Sequence, residues 1–298
     1  MKKVYTIVFA FSVLITIVAI ILTISYGLKF GVDFKGGSVL ELSFKERPPV
    51  AEVQKTLSLP ELKEVSVSQA GERDVIIKMN EISEDVHQQV IFNLNMAFPN
   101  SGLAEKRFDS VGPIIGQELK QKSITAVIIV LISVIVYIAI VFRRLSRSLS
   151  PWAMGVSAIF ALIHDVTIPI GVFALLGHYL NIEISAVFVA AILTILGYSV
   201  SDTVVVFDRV RENIIRGKIR EEFGVVVHRS IMQTLSRSLN TTFTTLLSLI
   251  AIYLFGGESI KYFALALIIG IFLGAYSSIF VASPILVWWT NRSRKTRT

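Results

Sequence analysis

The sequence predicts a mostly α-helical membrane protein: six transmembrane helices and one α+β, ferredoxin-like domain outside the membrane. Three observations predict it. The 298 residues are 53% hydrophobic with a mean hydropathy of +0.67, too apolar for a soluble chain of this length. Six apolar runs reach the roughly 20 residues that an α-helix needs to cross a bilayer. One charged stretch, 27–123, interrupts them and alternates short helix and strand patterns.

The apolar runs are Val4–Tyr26, Ile124–Phe142, Pro151–Leu176, Ile184–Phe207, Leu235–Phe255 and Ile260–Trp289. The last is long, so a tilt or a bend near Pro284 is expected. Charge orients them. Lys2 and Lys3 precede the first run, Arg143, Arg144 and Arg147 follow the second, seven basic residues lie from Arg209 to Arg237, and Arg292, Arg294, Lys295 and Arg297 close the chain. These segments hold 16 of the 29 Lys and Arg; the short opposite loops hold Lys261. The positive-inside rule then makes both termini and 208–237 cytoplasmic. The net charge of +7 is accordingly a signal of topology, not of nucleic-acid binding. The first run is too long for a signal-peptide core and reads as an uncleaved anchor. With no cysteine, disulfide and thiolate chemistry are excluded.

The expected organisation is a first helix at 1–26, an extracytoplasmic domain at 27–123, helices two to four at 124–207, a cytoplasmic amphipathic segment at 208–234, helices five and six at 235–290, and a basic tail at 291–298. The outside domain carries 14 acidic against 12 basic residues, a net of −2. Long domains cross a membrane largely regardless of charge. Ser38–Phe44 alternates as a strand does, and Val50–Leu57 reads as a short helix after Pro48-Pro49. Val65–Gln69 and Val75–Met79 form a hairpin around Gly71-Glu72, Ser83 caps a helix that Pro99 stops, and Ala104–Val111 is a last strand. The order β-α-β-β-α-β gives the ferredoxin-like sandwich. His87 reads as a lone, solvated residue. Gly36-Gly37 lacks the Gly-Lys-Ser/Thr ending of a phosphate loop and reads as a tight turn into a strand.

Candidate functional residues are the polar ones inside apolar helices. A charge at membrane depth costs roughly 3 kcal/mol or more and marks an ion path or relay. Two carboxylates meet that description, Asp165 and Asp202. Pro169, four residues after Asp165, removes a backbone donor. His164 and Asp165 are about 100° apart on a helix, so no relay between them is expected. Arg237, Thr241, Thr244 and Ser248 form a polar stripe, and Arg237 lies at a depth comparable to Asp202, which makes it the expected partner. Ala266, Gly270, Gly274 and Ser278 form a small-xxx-small stripe with an expected packing role. Apolar Val210, Ile214, Ile215, Ile219 and Phe223 suggest an amphipathic helix on the inner membrane surface. No metal or cofactor site is read.

The segment from Gly197 to Asn213, with Asp202 inside it, resembles the SecD/SecF family of the RND superfamily. So do Gly31-Val32-Asp33-Phe34-Lys35-Gly36-Gly37, Ala161-Leu162-Ile163-His164-Asp165 and Thr234–Thr241. The six-span layout extends the likeness to the SecF branch over the whole chain. The resemblance implies a non-enzymatic accessory subunit of protein export in the cell membrane. It implies pairing with a SecD-like six-span protein and association with the SecY channel complex, indirectly with SecA, and with the translocating polypeptide and membrane lipid. It also implies use of the proton-motive force, with Asp202 and Arg237 at the positions associated with proton conduction; Asp165 is a second polar member. The alternative function is an RND-type exporter of small molecules or lipids. An intramembrane aspartyl protease is disfavoured because Ser199-Val200-Ser201, not Gly-x-Gly, precedes Asp202.

Overall fold

The computed structural model describes residues 3–142, 151–216 and 221–295. Lys2, Arg143, Arg144, Arg147, Lys218, Ile219, Arg220 and Arg297, all used in the charge and amphipathicity readings, lie outside the described residues. The chain divides into a sheet-bearing unit, Phe30–Ile124 with Glu183–Ala186, and a helical unit containing the other described residues.

After the first long helix, α1 (Lys3–Tyr26), the elements are α2 (Val32–Lys35), β1 (Gly37–Ser43), α3 (Val50–Thr56), β2 (Ser66–Ala70), β3 (Asp74–Met79), α4 (Glu84–Ala97) and β4 (Ala104–Val111). The four strands form one antiparallel sheet in the order β2-β3-β1-β4, the ferredoxin-like arrangement. Leu40 pairs with Ile77 across β1 and β3, and both are fully buried. Val53 of α3 and Val90 and Leu94 of α4 close the core over that face. Ser83 caps α4 by accepting from the Val86 N–H.

Two glycines enter β1 because nothing larger fits. Gly36 and Gly37 have φ of 83° and 134°; a Cβ at Gly36 would lie 2.7 Å from Pro113 Cα, and one at Gly37 would lie 2.7 Å from the Met79 carbonyl oxygen.

His87 departs from the expected solvated state. It is 3% exposed, its ring stacks on Phe108 with centroids 3.8 Å apart, and Glu84 and Glu105 carboxylates lie 3.2 Å from Nδ1 and Nε2. The spacing explains it: residues 87, 90 and 94 share the apolar face of α4, which the charged and amide neighbours of His87 mask in sequence.

The remaining elements are α5 (Pro113–Val141), α6 (Pro151–Leu180), α7 (Ala186–Arg216), α8 (Phe223–Phe255), α9 (Glu258–Ser277), a π-helical turn (Ser278–Ala282) and α10 (Ser283–Lys295). Six helices are long and apolar enough to cross a membrane, the sixth running through α9, the π turn and α10. The π turn lies just before Pro284, near which a tilt or bend is expected from the sequence. Within the helical unit α6, α7 and the α9–α10 run are the most buried, whereas α1, α5 and α8 direct many large apolar side chains outward, such as Ile24, Ile140 and Phe255. Soluble monomers rarely expose such continuous apolar area, so lipid or another chain must cover it.

Among the described residues, the expected amphipathic stretch is divided between two helices. Its first part, through Arg216, continues α7, and Phe223 begins α8. Val210, Phe223 and Val227 are buried in one cluster with Ile138, Phe142 and Phe207, so the apolar pattern serves the helical core. Among the described members of that set, Ile215 alone is strongly exposed, at 67%.

Candidate functional site: two buried carboxylates joined by serines

α6 carries Asp165, which is fully buried. Three donors converge on it. Ser199 of α7 and Ser277 of α9 donate to Oδ2 at 2.5 and 2.6 Å, and His164 Nδ1 lies 2.8 Å from Oδ1. His164 and Asp165, between which the spacing predicts no relay, are in hydrogen-bond contact. Side chains 100° apart diverge from the axis, but the imidazole is long enough to lean back onto its neighbour. Pro169 adds a local feature, because residue 169 has no N–H to give the Asp165 carbonyl.

α7 carries Asp202, 8% exposed, on the same face as Ser199. Its Oδ2 accepts from Ser278 at 2.8 Å. The two carboxylates are linked through the α9–π junction. Ser277 and Ser278 are consecutive, each reaches one aspartate, and both also approach the Gly274 carbonyl oxygen, at 3.2 and 2.7 Å. Thr203 donates to Ser278 at 3.5 Å. Ser238 of α8 is buried beside Asp202.

Close packing makes this arrangement possible. A Cβ on Gly270 would lie 2.2 Å from Ile195, and one on Gly274 would lie 3.2 Å from Ser199 Cα, so α9 approaches α7 through glycine. The small-residue stripe therefore packs as expected as far as Gly274. Ser278, its last member, instead faces Asp202.

Arg237 is placed differently from the sequence reading. It is exposed and makes no ion pair with Asp202 among the described residues. It lines a cavity of about 510 Å³ with Asp208, Arg209, Glu212, Gln233 and Thr234. The neighbouring position, Ser238, is the one turned to Asp202. Thr241 and Thr244 of the polar stripe donate back to their own helix carbonyls.

Sequence reading missed Ser199, Ser238, Ser277, Ser278 and His164 as members of the site. Each is a polar residue in an apolar run, but a helical hydroxyl satisfies itself on the carbonyl four residues back and so carries little signal. Among the described residues, no three His, Asp or Glu side chains gather as a metal site.

The chain is similar to known proteins over nearly its whole length. A family model described as protein export membrane protein SecD/SecF, C-terminal, matches residues 92–292, and the SecD/SecF GG motif matches 21–46. The chain is 39% identical to the protein translocase subunit SecF of Thermobaculum terrenum, over 94% of this chain and 90% of that one. It is also 39% identical to the SecF of Anaerolinea thermophila over 95% and 91%. The crystal structure of SecDF from Thermus thermophilus, described as a translocon-associated membrane protein, superposes with a TM-score of 0.79 at 34% identity, over 96% of this chain. The chain spans 38% of the length of that SecDF.

Proposed function

The chain belongs to the SecD/SecF family of protein-export membrane proteins, and on that premise we propose that it is a multi-pass accessory subunit of Sec export, coupled to proton movement through Asp165 and Asp202. It works with a SecD-like six-span partner beside the SecY channel, after SecA, on a polypeptide in transit. It lies in the cell membrane with both termini cytoplasmic, residues 27–123 outside, and no catalytic chemistry of its own. The observation that carries this reading is the hydroxyl bridge between two carboxylates in the most buried helices of the bundle. Each ionised carboxylate at that depth bears a cost of roughly 3 kcal/mol that a bound proton removes. Asp202 binds and releases the proton, and Asp165 is the second member of the same path.

Ser278 makes the site responsive. Its hydroxyl has one hydrogen and two acceptors, Asp202 Oδ2 and the Gly274 carbonyl. An ionised Asp202 takes that hydrogen; a protonated Asp202 donates to the Ser278 oxygen and turns the hydrogen to Gly274. Arg237 belongs to the alternate conformation. Residues 237 and 238 are about 100° apart on α8, so a rotation of that size exchanges the Ser238 hydroxyl for the guanidinium and expels the proton. α5 and α7 both begin within the sheet-bearing unit, where Asp33 accepts from the Ala186 N–H at the first residue of α7.

The test is Asp202→Asn, which keeps shape and hydrogen bonding but releases no proton. The variant assembles with its partner and loses the stimulation of translocation that a proton gradient gives in membrane vesicles. Full stimulation by Asp202→Asn refutes the proton-coupled reading.

A further inference from the structure

His164 stands between the buried site and open space. Its Nδ1 engages Asp165, while the same ring lines a groove of about 920 Å³ walled by α1, α6 and α10. Nε2 has no hydrogen-bond partner among the described residues. The groove is apolar over most of its wall, including Phe9, Ile163 and Trp288, but polar groups run along it: Thr6, Ser12 and Thr16 of α1 and Asn291 of α10. Thr6 and Asn291 place its mouth at the end of the bundle that bears both chain termini. Ser12 and Thr16, one turn apart, continue it inward.

The surroundings of the ring are nearly neutral. From its own helix it faces Asp165. From α9 it faces Tyr276, whose ring is near parallel at 6.0 Å and whose hydroxyl meets Ser12 Oγ at 2.8 Å. From α1 it faces Ser12, and from α10 the groove residues are uncharged. Among the described residues no Lys or Arg lines the groove, and the imidazole is its one titratable group.

We propose that His164 is the proton-transfer residue linking Asp165 to this groove, and thus to the side of the membrane that holds the termini; the inference rests on the proton-coupled reading above. In the inward step a hydronium ion in the groove gives a proton to Nε2, forming one N–H bond. The Nδ1–H bond breaks, and its proton forms an O–H bond on Asp165 Oδ1. The ring ends neutral with its hydrogen on Nε2, the carboxylate is neutralised, and water is left behind. Release runs the same bonds in reverse. Imidazole suits this duty because two nitrogens on opposite edges exchange protons near neutral pH. The competing role is mere orientation of Asp165, which an amide at the same position performs equally well.

The test compares His164→Asn and His164→Ala with Asp202→Asn in the proton-gradient-driven translocation assay, using the full chain with its partner. His164→Asn keeps a donor for Asp165 but cannot shuttle. It is expected to lose at least ten-fold in gradient-driven stimulation. His164→Ala is expected to lose as much and to regain rate when free imidazole, which the groove can admit, is added. Wild-type stimulation in His164→Asn, with Asp202→Asn inactive, overturns the inference and leaves the proton-coupled reading standing. Wild-type stimulation in both variants overturns both. A His164→Ala protein that is folded, paired with its partner and inactive, yet not rescued by imidazole, also overturns the shuttle.

Discussion

Replacing Asp165 by alanine removes the acceptor for three donors at once: Ser199 at 2.5 Å, Ser277 at 2.6 Å and His164 at 2.8 Å. Hydrogen bonds between transmembrane helices contribute about 0.6 kcal/mol on average and up to about 1.7. Three of them therefore give about 2–5 kcal/mol, and the ionisable acceptor and complete burial favour the upper part of that range. Ser277 recovers some of this through the Gly274 carbonyl at 3.2 Å, while Ser199 and His164 have no such alternative named within the site. Asp202→Ala loses one close partner, Ser278, and the same scale gives about 0.6–1.7 kcal/mol. Asp165→Ala is thus expected to cost roughly three times as much as Asp202→Ala, although both variants lose the gradient-driven stimulation. The measurement is reversible unfolding in mixed micelles followed by helical circular dichroism. Asp165→Asn, which keeps one carbonyl oxygen in place, is expected to lose less than half of what alanine loses. The reasoning fails if Asp165→Ala unfolds within about 0.5 kcal/mol of the parent protein, well below the three-bond sum.

Gly270→Ala forces a methyl to within 2.2 Å of Ile195, a fully enclosed neighbour, and is expected to destabilise by about 1–3 kcal/mol. Adding Ile195→Ala makes room, so a double-mutant cycle by the same unfolding assay should show a coupling of at least about 1 kcal/mol, and additivity would contradict the packing. In the sheet-bearing unit, partial burial opposes ionisation of Asp74, but Lys106 at 2.5 Å and the Ser43 hydroxyl outweigh it, so its pKa falls below the ordinary 3.8. A depressed carboxylate stabilises the fold above its unfolded pKa and loses that contribution as pH falls through the folded value. Lys106 is half exposed, which limits the effect to at most about 1 kcal/mol. Hydrogen exchange across β1, β3 and β4 should therefore lose less protection below pH 3.8 in Asp74→Asn than in the parent chain; equal losses count against the pairing.

The fold was largely legible because its signals are long or repeated. Apolar runs of twenty residues identify the spans. The β-α-β-β-α-β order fixes a sheet whose strands appear within one or two residues of their expected places. Short-range geometry was less legible. His87 was misread because a sequence shows the neighbours of a histidine along the chain, whereas Phe108 reaches its ring from the sheet; at His164 the partner, Asp165, is the next residue, and what the spacing does not show is the imidazole leaning back onto it. The site was half legible. Carboxylates in apolar helices declare themselves by their cost, and Asp165 and Asp202 were found that way. Serines carry no such cost, so Ser199, Ser277 and Ser278 were invisible until the helices were placed. Arg237 failed as the direct partner of Asp202 because depth is readable from sequence but rotation about the helix axis is not, and a shift of one residue turns the facing group through about 100°.

The π turn sits where proton occupancy can be converted into helix geometry. Ser277 and Ser278 close α9 and open the π turn, and Pro284 just beyond it lacks an N–H, so the backbone here is already released from regular α pairing. Ser283 completes the turn by donating its hydroxyl to the Ser278 carbonyl at 2.8 Å, five residues back. A change in which acceptor holds the Ser278 hydrogen alters the Gly274 carbonyl, a backbone acceptor at this junction. One such hydrogen bond is worth about 1 kcal/mol, too little to move a two-state equilibrium from 1:99 to 99:1, which takes about 5.5 kcal/mol. Neutralising a buried carboxylate adds roughly 3 kcal/mol. A proton crossing a potential of 100 mV supplies about 2.3 kcal/mol more. The three together reach the required scale, and no one of them does. Under the proton-coupled reading, the hydrogen-bond switch at Ser278 therefore acts only together with the neutralised carboxylate and the potential, and the junction of α6, α7 and α9 brings Asp165, Asp202, the serines and the π turn together.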